Sequence, residues 1–199
     1  MPAEGEKTIA TRRGVKLGNV LPANADKLVA DADAVLVDNR FPEFVSAVCR
    51  AAHARSIPIV IDLDQATQVD DPLLAIGTHV IASAEASYGT TGLKDIGAAL
   101  NKLAEHLPGF LAITDGANGV YWLDRSTVRH MPAFKVKAID SLGAGDAFHG
   151  GFTLALAEGK DIVTAMRFAS ATAALKCTKF GGASGAPQRA EVEDFLKTV

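Results

Sequence analysis

The sequence predicts an α/β protein built around a mostly parallel central sheet. Short apolar runs alternate along the chain with longer segments of helical apolar spacing. The short runs are nearly continuous in valine, isoleucine, leucine and alanine, which is typical of strands covered on both faces. A chain of 199 residues that is 48% hydrophobic can bury a sizeable core. We therefore expect residues 1–199 to form one domain.

The predicted elements follow from local signals. Asn24 is a good N-cap residue, Pro42 suits the first position of a helix, and Glu191 and Lys197 match the dipole of a C-terminal helix. Strands are predicted over residues 8–11, 15–17, 34–37, 57–61, 79–82, 110–113 and 119–123. Helices are predicted over residues 25–32, 42–55, 72–76, 93–107, 145–158, 161–179 and 188–198.

Polar residues come at or just after the ends of these strands. They are Asp38, Asp62, Asp64, Glu85 and Thr114. Ligands of open parallel sheets bind outside the carboxyl ends of the strands, so this edge is the predicted site. Asp38 and Arg40 are candidates for contact with a sugar or a phosphate. Pairing of Arg40 with a surface acid is an equally good interpretation.

The most informative segment is the glycine-rich turn, residues 140–146, which opens a predicted apolar helix. Its sequence is Asp-Ser-Leu-Gly-Ala-Gly-Asp. Free backbone N–H groups at a helix start bind anions, and glycine lets a phosphate approach closely. Asp146 beside such a pocket can accept a proton from an attacking hydroxyl, as phosphoryl transfer requires. Alternatively, Asp146 only stabilises the helix start and the glycines only serve the turn.

Composition excludes several classes of function. The net charge is −3 and no Lys/Arg cluster stands out, so we expect neither a nucleic-acid nor a membrane partner. No apolar run is long enough to span a bilayer. Cys49 and Cys177 are interpreted as free thiols, which predicts a cytoplasmic protein. The scattered histidines lack the spacing of metal ligands.

Four segments together resemble a known family. They are residues 140–152 (DSLGAGDAFHGGF), 113–120 (ITDGANGV), 168–175 (FASATAAL) and 181–187 (GGASGAP). They are similar to the ribokinase-like (PfkB-type) carbohydrate kinases, over the C-terminal two-thirds of the family's usual length. The resemblance implies a three-layer α/β/α fold and transfer of the ATP γ-phosphoryl to a sugar hydroxyl. It assigns Asp146 as the base and the amides of Gly143, Ala144 and Gly145 as the anion hole.

The resemblance also implies sites for the nucleotide. Thr114, Gly116 and Gly119 would lie against its phosphates and ribose, although Ala117-Asn118-Gly119 is also good hairpin-turn chemistry. Ser170, Ala174 and Gly182 complete the implied nucleotide site, the first two on the helix that flanks adenine.

Two metal sites are implied as well. Glu85 would position Mg²⁺ through water, although Ala82 stands where relatives have asparagine, unless Ser83 substitutes for it. Asp62 and Asp64 are further candidates around that ion. Asp140 would hold K⁺, with carbonyl groups near the residues Leu142, Lys176, Lys179, Gly181 and Gly185. The alternative role of Asp140 is to cap the turn.

The family's N-terminal region, which carries a Gly-Gly sugar motif and most of a lid, has no counterpart here. Residues 1–22 would be a remnant of lid or edge strands. We therefore expect the phosphate side of a kinase site without most of its sugar side, and an exposed sheet edge that favours a homodimer. Two alternatives stay open. One is a kinase of a nucleoside or vitamin-like alcohol, and the other is a nucleotide-binding fragment without activity of its own.

Overall fold

A computed structural model describes residues 21–199, and its centre is one six-stranded sheet. The strands are β1 (Val35–Asp38), β2 (Ile59–Leu63), β3 (His79–Ser83), β4 (Phe110–Thr114), β5 (Val120–Asp124) and β6 (Thr127–Met131). They lie side by side in chain order. The first four are parallel, and β5 and β6 are antiparallel to their neighbours. The prediction of a mostly parallel sheet is confirmed.

Eight helices in the described residues pack around this sheet. They are α1 (Ala25–Leu28), α2 (Pro42–Ala54), α3 (Pro72–Ile76), α4 (Ala84–Thr91), α5 (Ile96–Ala104), α6 (Ala144–Ala157), α7 (Ile162–Cys177) and α8 (Arg189–Leu196). Helices α2 to α5 contribute to the core on one face of the sheet, and α6 and α7 cover the other. Within β2, Ile59 and Ile61 belong to the first core and Val60 to the second. The three predicted layers are therefore present.

Helices α6 and α7 approach each other closely because α6 carries a glycine at their contact. A β-carbon on Gly151 would lie 2.9 Å from the Thr172 hydroxyl oxygen and 3.2 Å from the Ala169 α-carbon. The two helices bury Phe148, Phe152 and other apolar side chains against the sheet. This packing fixes the start of α6, where the glycine-rich turn lies.

The structure adds two elements to those predicted and moves several boundaries. Strand β6 and helix α4 were not predicted. The helix predicted over residues 93–107 begins only at Ile96, because Gly92 ends α4 in a left-handed conformation and Asp95 caps α5. Asp62 was predicted to follow a strand but lies within β2, which continues to the buried Leu63. Predicted strands 8–11 and 15–17, and most of the proposed remnant 1–22, lie outside the described residues.

Within residues 21–199, no helix has the length and apolar character needed to cross a bilayer. Cys49 is buried and Cys177 partly buried, and both are free of disulfide bonds, as predicted.

Candidate active site

The glycine-rich turn leads into α6 with free backbone donors. Gly143 is the N-cap and has a left-handed conformation (φ 78°), which glycine adopts without strain. Within the described part of the chain, the N–H groups of Gly143, Gly145 and Asp146 donate to no protein acceptor, whereas that of Ala144 donates to the Ser141 carbonyl at 3.1 Å. Asp146 lies exposed in the first turn. The turn thus presents unpaired donors beside an exposed carboxylate.

His149 ties this turn to the sheet beneath it. Its ring is 3% exposed, with Nδ1 2.8 Å from the Gly145 carbonyl oxygen and Nε2 3.2 Å from the Ile81 carbonyl oxygen. Nδ1 also lies 3.4 Å from Asp62 Oδ2. Its burial among three oxygen atoms makes it the side chain that anchors the first turn of α6 on β2 and β3.

Four aspartates form a carboxylate cluster at the sheet edge: Asp38, Asp62, Asp64 and Asp146. Burial first, and then the charges of the other three aspartates, raise the pKa of Asp62 to about 6 against the opposing effect of His149. Asp64 Oδ1 is buried and accepts no hydrogen bond from any described residue. A buried oxygen without a partner is costly and indicates room for a ligand or its water.

Arg40 is the cation of this cluster. Its guanidinium donates to Asp64, and its Nε lies 3.7 Å from Asp38 Oδ2. The hydrogen bond to Asp64 and the charges of Asp64, Asp38 and Asp146 raise the pKa of Arg40. Arg40 therefore pairs with acidic side chains, and these side chains, Asp38 and Asp64, lie at the candidate site.

Asp140 closes the other end of the glycine-rich turn. Its Oδ1 accepts from the Leu142 N–H and its Oδ2 from the Gly181 N–H, each at 2.9 Å. These two bonds are the main reason that the pKa of Asp140 is lowered. The fully buried Lys176 ammonium lies 3.6 Å from Oδ2. Asp140 thus joins the turn to the segment after α7, where Gly182 backbone atoms lie 3.5 Å from the position of a Gly143 β-carbon.

Most of the remaining candidate residues belong to the β4–β5 connection and to α7. Thr114 ends β4 and donates to the Ala82 carbonyl at 3.3 Å, and the short turn Gly116–Asn118 connects β4 to β5. Gly119 has φ 102° and lies so close to the segment after β6 that a β-carbon would meet the Met131 carbonyl oxygen at 2.2 Å. On α7, Ser170 and Ala174 are each 9% exposed, and the Ser170 hydroxyl lies 3.9 Å from Met131 Sδ.

Glu85 lies exposed in the first turn of α4, just beyond the end of β3. Ser83 caps that helix, since its hydroxyl accepts from the Ala86 N–H at 3.1 Å. This bond occupies the side chain that the sequence offered as a substitute for asparagine. Among the residues described, no three histidine, cysteine or carboxylate side chains converge as direct metal ligands.

The fold and the order of these motifs agree with comparisons against known proteins. The profile of the pfkB family carbohydrate kinases matches residues 5–189. The chain belongs to the PfkB family. It is 34% identical over 199 residues to the ribokinase of Bacillus subtilis, covering 98% of this PfkB chain and 66% of that enzyme.

Solved structures show the same fold. A protein from Agrobacterium tumefaciens assigned as a ribokinase superposes with a TM-score of 0.90 at 38% identity, over 98% of the PfkB chain and 65% of that protein. The ribokinase of Arabidopsis thaliana, solved with ribose and ATP, superposes with a TM-score of 0.80 at 23% identity, over 89% and 60% of the two chains. The predicted ribokinase-like fold is confirmed. The PfkB chain spans about two thirds of the length of these relatives.

Proposed function

We propose that the chain supplies the nucleotide-binding and catalytic part of an ATP-dependent sugar kinase. The observation that carries this proposal is the exposed Asp146 carboxylate beside backbone N–H groups that have no acceptor among residues 21–199, at the carboxyl edge of a parallel sheet. Donors for a developing anion and a base for an attacking hydroxyl are the parts that phosphoryl transfer to an alcohol needs. Membership of the PfkB family supports the same reaction.

Each part of the turn has a role in this proposal. Asp146 accepts the proton of the attacking hydroxyl. The N–H groups of Gly143, Gly145 and Asp146 hold the negative charge that develops on the transferred group, while the Ala144 N–H is used within the turn. The sequence alone predicted the amides of Gly143, Ala144 and Gly145, so the proposed set has the Asp146 amide in place of the Ala144 amide. His149 keeps the donors in position, because it contacts the Gly145 carbonyl oxygen from below.

The carboxylate cluster and Glu85 fit Mg²⁺ held through water. Asp64 has a buried oxygen with no described hydrogen-bond partner, and Glu85 is exposed at the neighbouring strand end. Mg²⁺ keeps several waters and needs only one or two carboxylates beside the phosphates of its substrate, which agrees with the lack of a three-ligand site in the described chain. When bound, the ion would neutralise phosphate charge.

The nucleotide would lie between the β4–β5 turn and α7. The turn on one side includes Thr114, Gly116 and Gly119. The helix on the other side includes Ser170 and Ala174. Gly182 borders both this region and the glycine-rich turn. Asp38 and Arg40 lie in the carboxylate cluster, on the side proposed for the acceptor sugar. Two relatives that match almost the whole chain are ribokinases, so ribose is the first acceptor to test.

Coupled ADP release tests the proposal, with ATP, Mg²⁺ and a panel of ribose, deoxyribose and 5-dehydro-2-deoxygluconate. The assay uses the chain alone and the chain extended by the matching N-terminal third of the Bacillus subtilis ribokinase. Sugar-dependent turnover by either form is expected, with Asp146→Asn as the inactive control. ATP binding without turnover by either form favours a nucleotide-binding fragment. Absence of ATP binding overturns the proposal. Light scattering on the same samples tests the predicted homodimer.

A further inference from the structure

The ammonium group of Lys176 lies in the pocket where the sequence places a potassium ion. The side chain is 0% exposed, and lysine is almost never fully buried unless it is paired. Its Nζ donates to the Asp140 carbonyl at 2.9 Å and to the Lys179 carbonyl at 3.5 Å, and lies 3.6 Å from Asp140 Oδ2. Carbonyl and carboxylate oxygens are also the ligands that hard metal cations take.

The pocket joins three segments of the chain. The Cys177 carbonyl at the end of α7 accepts from the Ile139 N–H at 2.7 Å and from the Asp140 N–H at 3.2 Å. The Asp140 carboxylate accepts from Leu142 and Gly181, each at 2.9 Å. One positive charge at this point therefore holds together the entry to the glycine-rich turn, the end of α7 and the segment that follows α7.

The Lys176 ammonium already takes the oxygens that a second cation would need. The lysine stem reaches the backbone of the segment after α7, since a β-carbon on Gly185 would lie 3.4 Å from Lys176 Cε and 3.4 Å from the Lys179 carbonyl oxygen. A metal ion beside the ammonium would also meet a like charge that is shielded from water, which is costly. The donor set at Asp140 therefore does not fit K⁺ while Lys176 occupies it.

We propose that Lys176 is a built-in monovalent cation, a positioning residue that shapes the glycine-rich turn in place of a dissociable metal ion. This inference rests on the proposed kinase function for its effect on catalysis. The turn then holds its geometry in any salt, so nucleotide binding and turnover need no K⁺. The ammonium does not touch the substrate. It acts through Asp140, which fixes the Leu142 amide one residue before Gly143.

Two substitutions separate this role from simple core packing. Lys176→Ala removes the charge and opens a space lined by the same oxygens, which K⁺ or NH₄⁺ can enter. Lys176→Met removes the charge but keeps the space filled. Lys102→Ala is the matched control, because the Lys102 ammonium also donates to a carbonyl, that of Thr91 at 3.1 Å, outside the site. Melting temperature, ATP affinity by calorimetry and turnover are measured in potassium, sodium, ammonium and tetramethylammonium chloride at equal ionic strength.

Wild type and Lys102→Ala are expected to bind ATP equally well in all four salts. Lys176→Ala should bind ATP about tenfold to a hundredfold more weakly in tetramethylammonium, as misplacement of a binding group would cause. Potassium or ammonium should restore its affinity and raise its melting temperature. Lys176→Met should be equally weak and should not be restored. A merely structural lysine would give two variants that are insensitive to the cation.

Other outcomes overturn the proposal. Wild-type ATP affinity or turnover that rises with K⁺ shows that the lysine does not replace the ion. Equal loss in both variants without cation-specific recovery shows that the lysine only fills space. If neither variant folds, the wild-type salt series decides. Melting temperature and ATP affinity require no acceptor sugar, so a chain that fails to phosphorylate any sugar overturns the proposed function while the cation test still gives its answer.

Discussion

Gly145 and Gly150 lie on the same helix, and their substitution by alanine should separate folding from phosphate binding. Apart from the nearby backbone of α6 itself, no heavy atom of the described residues lies within 4 Å of the position that a β-carbon would take on either glycine, and neither has a positive φ. Alanine is favoured over glycine in a helix interior by about 1 kcal/mol. Gly145→Ala and Gly150→Ala should therefore each leave the free energy of unfolding unchanged or raise it by up to about 1 kcal/mol.

The effect on function should differ sharply between the two variants. The space around the β-carbon position of Gly145 is open among the described residues, and we propose that a phosphate oxygen enters it on its way to the Gly145 N–H. A methyl group there blocks that approach, and loss of one such donor typically costs about 10² to 10³ in rate, or roughly 3 to 4 kcal/mol. Gly150 lies more than one helical turn further along α6, where it borders the same cavity as Gly143 and Asp146, but its N–H is not one of the proposed donors. Gly145→Ala should thus become more stable and less active, and Gly150→Ala more stable and equally active.

Urea denaturation measures the stability of both variants, calorimetry their ATP affinity, and coupled ADP release their kcat/KM in the extended chain. If Gly145→Ala keeps both ATP affinity and kcat/KM within about twofold of wild type, the open space is not the phosphate site and the reasoning fails. If Gly150→Ala loses as much activity as Gly145→Ala, the loss comes from the helix and not from the blocked donor.

Three further predictions follow from the same site. Asp146→Asn should leave ATP affinity in calorimetry nearly unchanged and lower turnover by about 10² to 10⁴, the usual contribution of a general base, and unchanged turnover would refute that role. Burial raises the pKa of Asp62 from 3.8 to about 6, so the folded state binds this proton more tightly than the unfolded state. The stabilisation from this proton is complete below about pH 4 and is lost as pH rises through about 6. When the free energy of unfolding is measured by urea denaturation across pH, Asp62→Asn should remove that part of its pH dependence. An unaltered pH dependence contradicts the assignment. Gly119→Ala should lower the free energy of unfolding by at least about 2 kcal/mol, because φ is 102° and the Met131 carbonyl oxygen lies 2.2 Å from the new β-carbon. A normal denaturation midpoint for Gly119→Ala would show that the hairpin relaxes around it.

The strands and long helices could be predicted because their apolar runs match their burial. Strand β6 was missed because four of its five residues are exposed, so it lacks the alternation of a half-buried strand. It forms through pairing with β5 across a turn in which Arg125 has φ 59°. Helix α4 has no amphipathic pattern, and its ends are set by the Ser83 cap and by Gly92.

The glycine-rich turn and its acid could be located from sequence, because glycine, alanine and aspartate at a helix start have a direct chemical meaning. The roles of His149 and Lys176 could not. A histidine or lysine within a helical pattern is usually solvated or packed. Only the three-dimensional structure shows that His149 lies among the oxygens of Gly145, Ile81 and Asp62, and that Lys176 reaches Asp140.

The coverage of the two sheet faces has a consequence for how the chain folds during synthesis. Strands β1 to β4 and the helices on the first face leave the ribosome early, and they can pack as they emerge. Among the described residues, the helices that cover the second face, which includes Val60, Ile81 and Ala112, are α6 and α7, near the end of the chain. Among the described elements, the cover of this face is made only when the helix that begins with the glycine-rich turn has been synthesised. If a ribosome stalls before α6, the strands described here lack that cover, and the apolar face depends for its protection on the segment that also carries Asp146, the proposed catalytic base.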